Sequence, residues 1–380
     1  MPTVHDVIII GLGATGSAAA YDIARSGARV LAIDRYAVPH SLGSTNGRAA
    51  VLREGWLDGP RYVPLARRAA RRWKELESDA GVTLAYPTGA LAIGGPESTL
   101  IGAARRSAEA LDVKPIEMSA AQIRNGFPGL QPASDMVGLY EPGAFMLSPE
   151  SCLEALHARA RRVGAELHFG ENVNWWEADE SGVTVATSTT VYHGSRLLLA
   201  AGPWLQKLIA RLKLWLWVER QVYYWFDPVH PIGLYDVDRC PAVVWEYEPD
   251  YELTMFPDTG EGIRVALHRH GEDLNPDSET RGVSFEERGY MQHLVRQLMP
   301  QAAGQIRATA VGRYTNTPDR DFIIDTHPAN PRVVIATADS GHGFALAPAV
   351  GEILADLLCS GGSGVDLAPF SLSRFSRFAA

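Results

Sequence analysis

The chain has 380 residues, 46% hydrophobic and 21% charged, enough for a globular protein with two buried cores and unlike a collagen, a coiled coil or a disordered tail. Its 44 acidic and 35 basic side chains give a formal charge of −9, so no global positive field draws it to nucleic acid or an anionic membrane, and small-molecule partners are expected. Three cysteines (Cys152, Cys240, Cys359) without a CxxC pair argue against a disulfide scaffold or a zinc site, and no metal is expected. No apolar run approaches the roughly 20 residues of a membrane helix, and no cleavable leader opens the chain, so a cytoplasmic location is expected.

Val4 to Ile10 is a β-branched run that stops at Gly11, followed by Gly11-Leu12-Gly13-Ala14-Thr15-Gly16 and an Ala-rich helical stretch through Ala24. The pattern reads as strand, tight turn and helix. Gly11 permits the turn, Gly13 lets backbone approach a pyrophosphate, and Gly16 allows close helix packing, while the helix N-terminus offers N–H groups to the anion. A second strand, Arg29 to Ile33, ends at Asp34, placed to accept hydrogen bonds from an adenosine ribose and to disfavour a 2′-phosphate. This half leaves NAD and FAD both open.

Three later segments bear on the choice. The loop Pro39-His40-Ser41-Leu42-Gly43-Ser44 continues through Thr45-Asn46-Gly47-Arg48 into a short strand, Ala49 to Leu52, that delivers Arg53. The strand Arg196 to Ala200 leads into Ala201-Gly202-Pro203-Trp204 and a helical stretch from Leu205 to Arg211. The strand Val333 to Ala336 leads through Ser340-Gly341-His342-Gly343-Phe344 into a helix from about Ala347 to Leu358, whose glycine-opened N-terminus suits the charge that builds on a reduced flavin. Arg67, Arg68, Arg71 and Arg72 read as a solvated helix face opposite Leu65, Ala69, Trp73 and Leu76, not as a nucleic-acid patch. The aromatics Trp215, Trp217, Tyr223, Tyr224, Trp225, Trp245 and Tyr247 lie on strand-like alternation, either as ordinary sheet packing or as walls of a large apolar pocket.

The opening glycine motif, the PHSLGSTNG stretch with Arg53, Tyr62-Val63-Pro64-Leu65, Tyr314, Asp321 to Asp325, SGHGF, and the closing Asp366 to Phe370 and Ser373-Arg374-Phe375 together resemble the monomeric sarcosine oxidase and N-methyltryptophan oxidase family. The resemblance runs in order from end to end. It implies FAD and an α/β, two-domain fold, with a Rossmann-type cofactor domain beside a mostly antiparallel substrate sheet. The cofactor domain would be discontinuous (1–82, 150–212 and 320–380), with 83–149 and 213–319 forming the substrate domain. The implied cofactor contacts are the turn residues with Ala14 and Thr15, then Asp34 and Arg35, and the loop residues His40, Gly43 and Ser44. Ala50, Arg53 and Val173 add to these, as do Ala201, Gly202 and Trp204 and the run Gly341, His342, Gly343 and Phe344.

The family's chemistry carries over unevenly. Where the family has a flavin-linking cysteine this chain has Gly312, which implies noncovalent FAD. Arg53 matches the family's carboxylate-binding arginine, but Ala345 replaces the partnering lysine. Arg264 stands for an oxygen-activating lysine and keeps its charge, His268 is retained, and both share one strand face. Ala50 replaces an arginine and Thr254 a tyrosine, while Tyr314 matches a second tyrosine. The implied reaction oxidises the carbon beside a neutral amine nitrogen to an imine that water hydrolyses, with O2 reduced to H2O2. The altered positions argue for a secondary amine or N-substituted amino acid bulkier than sarcosine, with an N-carboxymethyl amino acid as a special case. A flavin dehydrogenase using another acceptor and a noncatalytic flavin-binding module are the alternatives. With glycine at position 312, acid denaturation of the holoprotein is expected to release all the flavin into the supernatant; yellow colour retained on the precipitated polypeptide would contradict this.

Overall fold

The computed structural model describes residues 4–37, 40, 42–45, 49–55, 59–109, 114–230, 233–278, 282–337 and 339–378. Pro39, Ser41 and Asn46 to Arg48 of the loop motif lie outside the described residues.

Val4–Ile10 forms the centre of the first sheet because its second half, Val7 to Ile10, is apolar and covered on both faces; Ile8 and Ile9 have no exposed surface. It pairs in parallel with Val30–Asp34 on one side and Val191–Leu199 on the other, with Ile10 level with Ile33 and Leu199. Val191–Leu199 in turn carries Val333–Thr337 in parallel, so the cofactor segments of the sequence converge on one sheet edge. Helix Ala14–Arg25 follows the first turn and crosses helix Ala347–Ala355 so closely that a Cβ on Gly351 would lie 2.7 Å from Ala18.

Two glycines of the first turn are sterically required. Gly11 sits at φ 105°, and a Cβ there would lie 2.3 Å from the Ala200 carbonyl oxygen; one on Gly16 would lie 1.9 Å from the Gly11 carbonyl oxygen. Gly13 differs: a Cβ there would meet only Thr45 Oγ1, at 3.5 Å. Its free side opens toward the crevice, where a ligand needs backbone access.

The second sheet has eight strands, in the order Ile306–Asn316, Trp217–Phe226, Ile263–His268, Tyr251–Phe256, Ala242–Glu248, Ala90–Gly94, Val137–Glu141 and Ile116–Ser119. It is antiparallel except where Ala90–Gly94 meets Ala242–Glu248. The period of two sorts its faces. Val243, Trp245, Leu253, Met255 and Val265 pack with helix Phe285–Leu298, while Val244, Thr254 and Arg264 face a cavity over the first sheet's edge. The α/β architecture therefore has a Rossmann-type sheet and a mostly antiparallel one. Among the described residues no helix is long and apolar enough to cross a membrane.

Two sequence expectations need correction. Arg72 does not belong to a solvated face: it is 7% exposed and pairs with buried Asp22 and, at 2.9 Å, with Glu75. At 100° per residue, position 72 shares its stripe with Leu65, Ala69 and Leu76, so the core side of helix Val63–Ala80 carries the arginine to Asp22. The strand-like alternation expected to include Trp215 begins only at Trp217, in one strand, Trp217–Phe226; Trp215 lies before it and is 65% exposed.

Helix Pro149–Arg162 supports the glycine turn from below. Its His157 Nε2 lies 2.8 Å from Ser17 Oγ, which also donates to the Leu12 carbonyl. Burial pushes His157 down from 6.5 to about 4. The unfolded chain protonates His157 near pH 6.5 and the folded chain only near 4, so between these values unfolding takes up a proton and stability rises with pH. This group should contribute up to about 3 kcal/mol across that window. Denaturant midpoints measured at several pH values should show the slope, and a His157→Asn variant should flatten it; an unchanged slope would exclude His157 as its source.

Candidate functional site

A crevice of about 1050 Å³ runs along the ends of the first sheet's strands, and a cavity of about 400 Å³ adjoins it under the second sheet, sharing Ser44, Thr45, Asp339 and Phe344. The crevice gathers Gly11, Gly13, Ala14, Thr15, Asp34 and Arg35 with His40, Gly43 and Ser44 from the following loop. Val173, Ala201, Gly202, Trp204 and Phe344 join them from distant segments, while Ala50, Arg53, Gly341, His342 and Gly343 of the expected set line the adjoining cavity. Gly16 lines neither space: it lies beneath the turn, packed against the Gly11 carbonyl.

The crevice fits a dinucleotide cofactor. Helix Ala14–Arg25 starts at Gly13, which has no side chain to cap it; the Ala14 N–H donates to Thr45 Oγ1 at 3.3 Å, and this first turn lies at the crevice floor. Asp34 is pinned by the Leu12 N–H on Oδ2 (2.7 Å) and the Tyr36 N–H on Oδ1 (2.9 Å), and each oxygen keeps a lone pair for a ribose hydroxyl. Thr337, also on the wall, has a buried Oγ1 without a partner. Burial lowers the His40 pKa, favouring the neutral ring.

The smaller cavity brings together Ala50, Arg53, Arg264, His268, Tyr314, Gly341, His342, Gly343 and Phe344. Arg53 follows strand Ala50–Leu52 and is 6% exposed. Arg264 is clamped between two rings, its guanidinium carbon 4.4 Å from the Tyr223 centroid and 4.7 Å from that of Phe256, and it donates to the Ala49 carbonyl. Desolvation lowers its pKa, while the Tyr223 and Tyr314 phenols are pushed up by burial and stay neutral. His268 Nδ1 lies 3.3 Å from the Tyr314 hydroxyl. Both rings press on Gly341, whose φ of 83° and lack of Cβ leave room for them: a Cβ would lie 2.5 Å from Tyr314 Cε2 and 2.9 Å from His268 Cε1. Asp339, half-buried beside this loop, accepts the Thr315 and Gly341 N–H groups, and desolvation raises its pKa. Arg269 ties the end of strand Ile263–His268 to the loop by donating Nε and Nη2 to the Ser340 carbonyl. Ala345 presents a methyl group to the cavity while its carbonyl accepts from Trp73 Nε1 at 2.8 Å.

Of the seven aromatics expected as packing or pocket wall, only Tyr223 lines this cavity. Tyr224 and Trp245 fall on the opposite face and join the core, and Trp215 and Trp217 stack on each other at 5.0 Å. Sequence reasoning missed the side wall made by Thr99, Leu100, Ala103 and Arg106 of helix Thr99–Glu109, as well as Asp339 and the crevice residues Lys207 and Asp277. The 99, 100, 103, 106 spacing signals a helix face but not what it faces.

A sequence model described as DAO, FAD dependent oxidoreductase, matches residues 6–357. The chain is similar to the monomeric sarcosine oxidase of Streptomyces avermitilis, 36% identical over 99% of each chain. It is also similar to the N-methyl-L-tryptophan oxidase of Salmonella typhimurium, 31% identical over 98% of this chain and 100% of that one. The solved L-proline dehydrogenase from P. horikoshii aligns with a TM-score of 0.86 at 20% identity, over 100% of this chain and 99% of that one, a likeness of fold.

Gly312 lies under the Tyr223 ring: a Cβ there would be 2.5 Å from Tyr223 Cε2 and 2.7 Å from its hydroxyl. Gly312→Ala should therefore cost about 1–3 kcal/mol in denaturant titrations. The same substitution in a Tyr223→Ala background should cost less than half as much; equal costs in both would show that Tyr223 does not limit position 312.

Proposed function

We propose that this chain, which belongs to the DAO family of FAD-dependent oxidoreductases and oxidises amine C–N bonds, takes an N-substituted amino acid bulkier than sarcosine and uses O2 as electron acceptor. The observation that carries the substrate class is buried Arg53 in a cavity with an apolar methyl at Ala345 and an open wall of Thr99, Leu100 and Ala103 ending at Arg106. The roles assigned to individual residues, and the division into cofactor segments (1–82, 150–212, 320–380) and substrate segments (83–149, 213–319), are part of the proposal. Membership of the two large sheets supports that division.

Bound FAD supplies the hydride acceptor for the carbon beside the amine nitrogen. Gly11, Gly13 and the start of helix Ala14–Arg25 would hold the pyrophosphate, and Asp34 would hold the ribose. Arg53 receives the substrate carboxylate through its planar guanidinium and so fixes which carbon lies over the ring. Tyr314, neutral and bonded to His268, orients the amine nitrogen and gives its proton a path into the pair. Arg264 holds a positive charge at the cavity wall, kept there by the faces of Tyr223 and Phe256. The N-substituent extends toward helix Thr99–Glu109, and the imine product hydrolyses to a primary amine and a carbonyl compound.

The Arg264 clamp favours one second reading, a dehydrogenase. A guanidinium stacked between two rings and bonded to Ala49 is less free than an amine to approach oxygen. Comparing reoxidation of the reduced protein in air and with an artificial acceptor separates the two; slow reoxidation in air alone would overturn the oxidase reading.

Anaerobic mixing with N-alkylated and N-carboxymethylated amino acids should bleach the flavin absorbance, and a panel without any bleaching would refute the enzymatic reading. Arg53→Ala should lower kcat/KM for the active amino acid about ten- to a hundredfold, the worth of a charge-assisted contact. It should leave the corresponding amide nearly unaffected, and an equal loss on both would remove Arg53 from the carboxylate role.

A further inference from the structure

We propose that Asp277 latches the adenosine end of the cofactor crevice, and that this latch, in a chain with glycine at position 312, governs how fast FAD leaves. The inference rests on the FAD-dependent reading and goes beyond it by assigning a retention site.

The observations lie outside the catalytic cavity. After strand Ile263–His268 the chain does not turn directly into helix Phe285–Leu298. It runs back along the edge of strand Trp217–Phe226, where the Gly271 N–H donates to Glu219 Oε1, the Arg220 N–H to the Glu272 carbonyl and the Leu274 N–H to the Val218 carbonyl. The path is tight, since a Cβ on Gly271 would lie 1.6 Å from the Arg220 carbonyl oxygen. A turn closed by Asn275, whose Oδ1 accepts the Asp277 N–H at 3.0 Å, then aims the Asp277 carboxylate at the first sheet.

Three donors from two other segments receive that carboxylate. Arg35 Nη1 reaches Oδ1 at 2.8 Å, Trp204 Nε1 reaches the same oxygen at 2.9 Å, and the Lys207 ammonium takes Oδ2. Arg35 follows Asp34 directly, and Trp204 and Lys207 belong to the turn and helix after Val191–Leu199. Asp277 therefore bridges the two strand ends between which an adenosine would lie. Asp277, Arg35, Trp204 and Lys207 all line the crevice, and Arg35 also lies over the Tyr36 and Trp204 rings at 5.3 and 5.8 Å.

Electrostatics makes the assignment specific. A lone carboxylate at the rim of a pyrophosphate site would repel the ligand; paired with two cations it closes the rim without a net negative charge. A single exposed ion pair contributes little, but one carboxylate shared by two cations and an indole N–H forms a network whose members hold each other in place. Release of a noncovalent dinucleotide must part these contacts.

The test follows the fluorescence of FAD set free after dilution of holoprotein, for wild type, Asp277→Ala, Asp277→Asn, Lys207→Ala and the Asp277→Ala/Lys207→Ala double variant, with circular dichroism confirming the fold. Both Asp277 variants and Lys207→Ala should release FAD about three- to tenfold faster. The double variant should be no faster than the quicker single one, and added salt should accelerate wild type more than Asp277→Ala. Unchanged or slower release in folded Asp277→Ala would overturn the latch; slower release would instead assign Arg35 and Lys207 to the pyrophosphate. A protein that binds no FAD would refute the cofactor reading itself, a different outcome from unaltered release.

Discussion

The approach of Gly11 to Ala200 is the constraint on which the site depends. The Gly11 carbonyl faces Gly16, its α-carbon faces the Ala200 carbonyl, and no side chain fits on either glycine. This contact sets the distance between the ends of two parallel strands and aims the N-terminus of helix Ala14–Arg25 at the crevice. Helix Ala347–Ala355 seats against the same helix at Gly351, which fixes the loop Ser340 to Phe344 at the boundary between crevice and cavity. The smaller cavity is thus positioned from the first turn outward, by backbone packing rather than by flexible side chains.

A chain with a formal charge of −9 concentrates cations where the chemistry needs them: Arg53, Arg106, Arg264 and Arg269 all border the smaller cavity. Each is held differently. Arg264 is stacked between rings, Arg269 is spent on the Ser340 carbonyl, and Arg106 stands at the far wall on an exposed helix face. Arg53 is buried and directly follows the short strand Ala50–Leu52, and the proposed function seats the substrate carboxylate there.

Much of this was legible in the sequence where function rests on local backbone geometry. The glycine turn, Asp34, the Ala201-Gly202 turn and the SGHGF loop are each contained within a few residues, and strand alternation placed Arg264 and His268 on one face. What escaped the sequence depends on pairing across the fold. Asp277 meets Arg35 across 242 positions, and nothing near residue 277 announces the crevice. Arg72 looked solvated because its partner Asp22 lies on another helix, fifty positions away. The aromatics around 215–247 could not be divided between core and cavity until the register put Tyr223 level with Ala266 and Ala310, on the cavity face.

In the proposed reaction Arg53 and Tyr314 hold an N-substituted amino acid so that the N-linked carbon of its substituent, and not its α-carbon, is oxidised. The most direct measurement compares anaerobic bleaching rates for a substrate deuterated on that carbon and for one deuterated on the amino-acid α-carbon. Only the first should slow bleaching several-fold. Slowing by α-carbon deuteration, with the N-substituent carbon silent, would contradict it.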